Sequence, residues 1–240
     1  MTRLALDRSV DRPFDGHFCE GHALFWPLEA AAARFSGEAD WPPVEDYARA
    51  FGPHAPVRFE PAPPPRGRRR ASPIDPRRLY DARIAHEACV PTRARSWHDF
   101  LNALLLATFP RAKLALHRRQ LRALVERLPA GACTLPATRS REHDALALID
   151  EGGVVVLEDA RAAGGAVMVV FGHALYEGLV LGRGAVTACA IRVPVKGLPV
   201  APDERVALAD GALARHLASA ALDPHTLRRV RIDDRGARAL

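Results

Sequence analysis

The chain has 240 residues, 48% of them apolar and 26% charged, an ordinary globular composition that excludes wholesale disorder, collagen and coiled coil. A membrane-spanning helix needs roughly 18–20 apolar residues in a row, and the sequence contains no such run. The first residues, Met1-Thr-Arg-Leu-Ala-Leu-Asp-Arg8, put charges where a signal peptide needs an apolar core, so a cytoplasmic protein is expected.

The net charge of +6 is local. Residues 66–78 and 111–127 each carry +5, which leaves −4 on the rest of the chain. Lys113 and Lys196 are the two lysines; the other cations are arginines. Cys19, Cys89, Cys133 and Cys189 show no Cys-x-x-Cys spacing, and reduced thiols are expected.

Residues 1–60 read as the N-terminal part of a domain, short apolar pieces between prolines and glycines. Pro43 opens a short helix through Phe51 that Gly52 stops, and Val57 to Phe59 suggests a brief strand. Residues 61–78 are a Pro/Arg-rich loop or linker. Residues 79–232 form the main core. A helix is expected over 78–88, broken by Val90-Pro91. Ser96 caps a second helix that runs to about Thr108, with Asp99 as the capping-box partner, and Pro110 starts a third that ends near Leu128.

Ala145–Ile149, the turn Asp150–Gly153 and Val154–Leu157 read as a β-hairpin. Ala166–Phe171 is a buried strand by its continuous apolar run. A short helix from His173 to about Leu181, a strand within 185–195 and a helix over 203–221 follow, and 233–240 reads as a loose tail. The expected architecture is a single α+β domain, with helices packed on a small, mostly antiparallel sheet.

The helix at 96–108 is apolar nearly all round, as a buried helix is, except for a narrow strip holding His98, Asp99 and Asn102. Buried polar groups need partners. His173 and Glu177 lie one turn apart on the helix after the buried strand, a spacing that suits an oriented base or a divalent metal site. The candidate catalytic set is therefore His98, Asp99, Asn102, Asp144, Glu151, His173 and Glu177. His98, His173 and Glu177 are the candidate metal ligands. Asp99, Asp144 and Glu151 would orient them or add ligands, and Arg93 or Arg141 would hold an anionic substrate.

On the third helix His117 falls inside the stripe Leu114, Leu121, Leu124, Val125 and Leu128, the position of a core histidine. Arg111, Arg118 and Arg122 share another face that could grip a polyanion such as nucleic acid. Phosphate-loop, zinc-protease and serine-hydrolase motifs are absent.

Several stretches occur in a fixed order: Tyr80-x-x-Arg83-Ile84, Val90-Pro-Thr-Arg93, Trp97-His-Asp-Phe-Leu-Asn-Ala-Leu104, Phe109-Pro-x-x-Lys113, Asp144-Ala-Leu-x-Leu-x-Asp-Glu151 and Phe171-Gly-His-Ala-Leu-x-Glu177. Over roughly residues 14–200 the chain resembles the bacterial domain-of-unknown-function family numbered 3025. The resemblance implies that these segments belong to one domain, and it brings no activity with it. That pattern places Asn and then His, three residues apart, on the third helix. Here the positions hold His117 and Gln120, so His117 is set aside from the candidate site.

Two functional readings stand. The first is a hydrolase, with a divalent metal as one option, that uses the His/Asp/Glu cluster. The second is a non-enzymatic module for nucleic acid or another polyanion, in which the cluster is purely structural.

Overall fold

The computed structural model describes residues 12–63, 72–159, 161, 165–183, 186–219, 221–225, 227–233 and 236–239. The arginines at 66–70 of the Pro/Arg-rich stretch and the first residues of the chain lie outside these. Among the described residues no helix is long and apolar enough to cross a membrane.

From Phe18 to Phe51 the chain advances in short 3-10 turns around a single turn of α-helix, α1 (Glu29–Ala32). The last 3-10 turn, Val44–Phe51, follows Pro43 and ends at Gly52, whose φ of 80° suits glycine because no Cβ meets the backbone there. Strand β1 (Arg58–Pro61) pairs in parallel with β2 (Cys89–Thr92). Parallel neighbours need a crossover, and helix α2 (Tyr80–Glu87) lies within it.

Helix α3 (Trp97–Thr108) starts where Ser96 Oγ accepts the Asp99 amide at 3.4 Å. Its roll is set by aromatic packing. Phe100 is fully buried and meets Phe14, Phe35 and Tyr47 edge-on, with ring centroids 5.2, 5.1 and 5.2 Å away. Such pairs contribute about 0.5–1.5 kcal/mol each beyond the area they bury. At about 100° per residue, seating Phe100 in the aromatic cluster turns His98 and Asn102 to the opposite side.

Helix α4 (Pro110–Val125) packs on α7 (Pro202–Ser219). Buried Asp210 of α7 accepts the amides of Arg111 and Ala112, at 3.3 and 2.7 Å, and so satisfies donors that a helix start leaves free. The face that α4 buries differs from the leucine stripe expected from the sequence. It holds Ala112, Lys113, Leu116 and Gln120 beside the expected His117 and Leu121, while Val125 is 39% exposed. The polar members tolerate burial because Lys113, His117 and Arg119 each meet a carboxylate, from Asp150, Asp81 and Glu142 respectively.

The expected hairpin at 145–157 is half helix. Residues 141–152 form α5 (Arg141–Gly152), which starts where Ser140 Oγ accepts the His143 amide at 3.1 Å and buries Ala145, Leu146 and Ile149 on one face. The alternation of Ala and Leu that suggests a strand serves equally as a helix stripe, and the cap with two acidic residues in the first turn decides for the helix.

Strand β3 (Gly153–Asp159) follows without a loop. β4 (Ala166–Val170), helix α6 (His173–Val180), β5 (Val186–Val195), β6 (Arg228–Asp233) and β7 (Gly236–Ala239) complete the fold. The sheet order is β4-β3-β5-β6-β7, with β3–β5 parallel and the other pairs antiparallel. The molecule is thus an α+β domain on a small, mostly antiparallel sheet. Residues 236–239, read from the sequence as part of a loose tail, pair with the edge of β6, where backbone hydrogen bonds need no apolar side chain.

Candidate functional site

The site is built where two helix–strand junctions meet. The carbonyl of Gly153, at the α5–β3 junction, accepts the amides of Phe171 and Gly172, at the β4–α6 junction, both at 2.9 Å. Gly172 presses directly on the end of α5, and a Cβ there would stand 2.4 Å from the Glu151 carbonyl oxygen. This contact makes Asp150, near the end of α5, a neighbour of His173, the first residue of α6. Their Oδ1 and Nδ1 atoms are 3.7 Å apart, ion-pair distance but beyond a hydrogen bond.

From α4, Lys113 reaches the same carboxylate. Its Nζ donates to Asp150 Oδ1 at 2.6 Å and lies 5.5 Å from the centre of the Phe171 ring. The lysine is fully buried. Burial pushes the Asp150 carboxyl up, but Lys113 and His173 outweigh it and hold the group well below the usual carboxylate range.

Helix α3 brings His98 edge-on to His173, with ring centroids 4.3 Å apart. His98 Nδ1 donates to Glu177 Oε2 at 3.2 Å. That hydrogen bond, against the opposing effect of burial, holds the Glu177 carboxyl below its usual range. The carboxylate fixes the ring and its tautomer and leaves Nε2 as the available nitrogen.

His98, Asn102, Asp150 and His173 line a cavity of about 310 Å³ together with Tyr80, Arg93 and Asp99. Asn102 Nδ2 donates to the Tyr80 hydroxyl at 3.2 Å. Its Oδ1 is enclosed with no hydrogen-bond partner, and so is His173 Nδ1. Orphaned polar atoms cost about 1–3 kcal/mol each, and a water or a polar ligand in the cavity would satisfy these two.

Asp99 and Arg93 hold each other. Asp99 accepts the Arg93 amide at 2.6 Å, its Nε at 3.0 Å and its Nη2 at 2.8 Å. The Asp99 carboxylate therefore clamps the segment after β2 instead of closing a capping box, and Arg93 has most of its fork committed.

The remaining candidates lie elsewhere. Asp144 does not line the cavity, and Glu151 lines a separate hollow with Cys189 and Arg229. With α5 a helix, Asp150 and Glu151 point about 100° apart, so one carboxylate reaches the site and its neighbour does not. Arg141 is exposed and pairs with Asp223 at 3.5 Å. Among the described residues no group of three or more His, Cys, Asp or Glu side chains is placed to hold a metal ion. The proposed ligands His98, His173 and Glu177 fall short because His98 and Glu177 spend their near atoms on each other, while His173 faces a carboxylate neutralised by Lys113. The arginine face of α4 is also divided. Arg111 and Arg118 border one hollow, whereas Arg122 leans toward Glu126 and Glu142, at 4.0 and 3.9 Å.

The model of DUF3025, a family of proteins of unknown function, matches residues 69–167. The similarity of this chain to DUF3025 covers that segment. No curated protein and no solved structure matches the chain. The DUF3025 segment contains α2 to α5 and most of the cavity's polar residues; His173 and Glu177 follow its end.

Within the DUF3025 segment, three residues outside the candidate set prove central: Tyr80, Lys113 and Asp150. Lys113 carried a signal. In a chain that uses arginine for nearly every cation, a lysine on a buried helix face stands out, because a compact ammonium fits beside one carboxylate where a guanidinium fork does not. Next to this group, His117 Nδ1 donates to Asp81 Oδ1 at 2.9 Å, and its ring stands edge-on to Tyr80 at 5.8 Å. Its Nε2 is buried without a partner.

Proposed function

We propose that the cavity is the centre of a hydrolase for a small, polar substrate without net negative charge, and that His98 is its general base. The observation that carries this reading is the His98–Glu177 pair. A carboxylate on Nδ1 orients the imidazole and leaves Nε2 to accept, the arrangement that lets histidine take a proton from water. His98 is 39% exposed by side chain while Glu177 is 20% exposed, so the base is open and its partner is sheltered.

The charge balance supports the substrate class. Lys113 is matched by Asp150 and Arg93 by Asp99. Neither cation is left over for a phosphate or carboxylate, and an anion would also meet the carboxylates of Asp99 and Asp150, which line the cavity. The enclosed oxygen of Asn102 calls for a hydrogen-bond donor on the ligand, and the Tyr80 hydroxyl can donate in return. The Lys113–Asp150 pair holds the floor of the site, next to His173. Water attacks the substrate's electrophilic carbon as His98 Nε2 accepts its proton, and the same proton then passes to the leaving group. No metal ion is required for this sequence.

The test is turnover of a panel of uncharged esters, amides and glycosides beside phosphate and carboxylate esters, by the wild-type protein and by His98→Gln. Turnover confined to uncharged substrates and reduced at least a hundredfold in His98→Gln supports the reading. Preference for anionic substrates, or equal rates in the two proteins, overturns it.

A further inference from the structure

A second hollow, of about 370 Å³, lies against the opposite end of α2 and the outer side of α4. Its walls are mostly apolar, with exposed His86 among them. Ile84 and Leu106 are buried, and Val57 and Leu114 are half-buried around them. Arg111 and Arg118 border it, exposed and two turns apart on one face of α4. Among the described residues neither guanidinium has a carboxylate within ion-pair distance, unlike Arg119 and Arg122 on the same helix, although Arg111 reaches toward Gly211 of α7 and its charge acts on Asp210.

A mostly apolar hollow with Arg118 free of a carboxylate and Arg111 beside it suits an apolar tail that ends in an anion. We propose that this hollow binds a medium-chain monocarboxylate, with the hydrocarbon chain on Ile84, Leu106 and Leu114 and the carboxylate on Arg111 and Arg118. The volume is at the small end of the range of about 300–1,000 Å³ typical of ligand pockets, which suits an alkyl chain better than a folded partner. Arginine matches a carboxylate by bidentate hydrogen bonding, and its methylene stem extends the apolar wall. A polyanion would need cations spaced along a tract, and Arg122 is drawn away to Glu126 and Glu142.

The measurement is calorimetric titration of the full chain with decanoate below its micelle concentration, compared with decanol and with the variant Arg111→Gln/Arg118→Gln. Both arginines are exposed, so the variant is expected to keep the wild-type melting temperature. Saturable 1:1 binding of decanoate, at least tenfold weaker for decanol and for the double variant, is the expected result. No saturable binding, or equal affinity across the three arms, overturns the proposal. Concentration-dependent dimerisation that Leu114→Asp abolishes also overturns it, because a second copy would then cover the hollow.

Discussion

The Nζ of Lys113 stands 2.6 Å from Oδ1 of Asp150, and the lysine has no exposed surface. A buried cation with a single carboxylate partner contributes little net stability as a pair, because desolvation offsets the attraction, but removal of one partner strands the other charge. Lys113→Met should therefore destabilise the protein by about 3–5 kcal/mol. Lys113→Met combined with Asp150→Asn should recover most of that loss. Denaturant unfolding of the three proteins checks this, and a single variant as stable as wild type would contradict the assignment.

Acid should destabilise the protein through two carboxylates of the site. Asp150 and Glu177 both have native pKa values below their ordinary ones, through Lys113 and His98 respectively. The unfolded chain therefore takes up protons first as pH falls. The stability contributed by these groups is complete above the ordinary carboxylate pKa of about 4 and is lost as pH drops through the lower native values. Unfolding free energy measured from pH 7 to pH 2.5 should fall on the acid side, and Glu177→Gln should make that fall shallower. An equally steep acid limb in the variant would show that the His98–Glu177 bond does not form.

Much of this arrangement was legible in the sequence, and its gaps have physical causes. The helices at 80, 97, 110 and 173 follow from caps, prolines and apolar spacing, and the strip of His98 and Asn102 follows from helical projection. Asp150 was misplaced because Ala145–Ile149 fits a strand period as well as a helix period, and the Ser140 cap with the acidic first turn tells them apart. The polar burial on α4 was hidden because partners of Lys113, His117 and Arg119 come from other elements, which a helix projection cannot supply. Arg141 and Glu151 looked suitable by residue type alone, which says nothing of direction.

The junction that places His173 beside Asp150 depends on the missing side chain of Gly172. A methyl group there would meet the Glu151 carbonyl oxygen at 2.4 Å and its carbon at 2.6 Å, both backbone atoms with little freedom to yield. Gly172→Ala should cost about 1–3 kcal/mol, the range for overpacking, and should shift the His173 side-chain resonances. Gly21→Ala, where a Cβ meets nothing within 4 Å, is the control and should change stability by less than about 0.5 kcal/mol. Equal effects at the two positions would mean that the junction is looser than described.

Helix α5 should be sensitive to its cap. Ser140→Ala removes the acceptor for the His143 amide and should cost about 1 kcal/mol. Ser140→Asp, which keeps an acceptor, should retain wild-type stability. Thermal unfolding distinguishes them, and an unaffected Ala variant would remove the cap from the explanation of why residues 141–152 are helical.

The most direct test of the account concerns His98 itself. Hydrolysis of an activated, uncharged ester such as p-nitrophenyl acetate is to be followed in the presence of a metal chelator for wild type, His98→Gln and Glu177→Gln. General-base catalysis contributes about 10²–10⁴-fold. The account predicts turnover that persists with chelator, falls at least a hundredfold in His98→Gln and falls less in Glu177→Gln, where the base survives without its orienting partner. Equal rates for wild type and His98→Gln, or activity lost to the chelator alone, would contradict it.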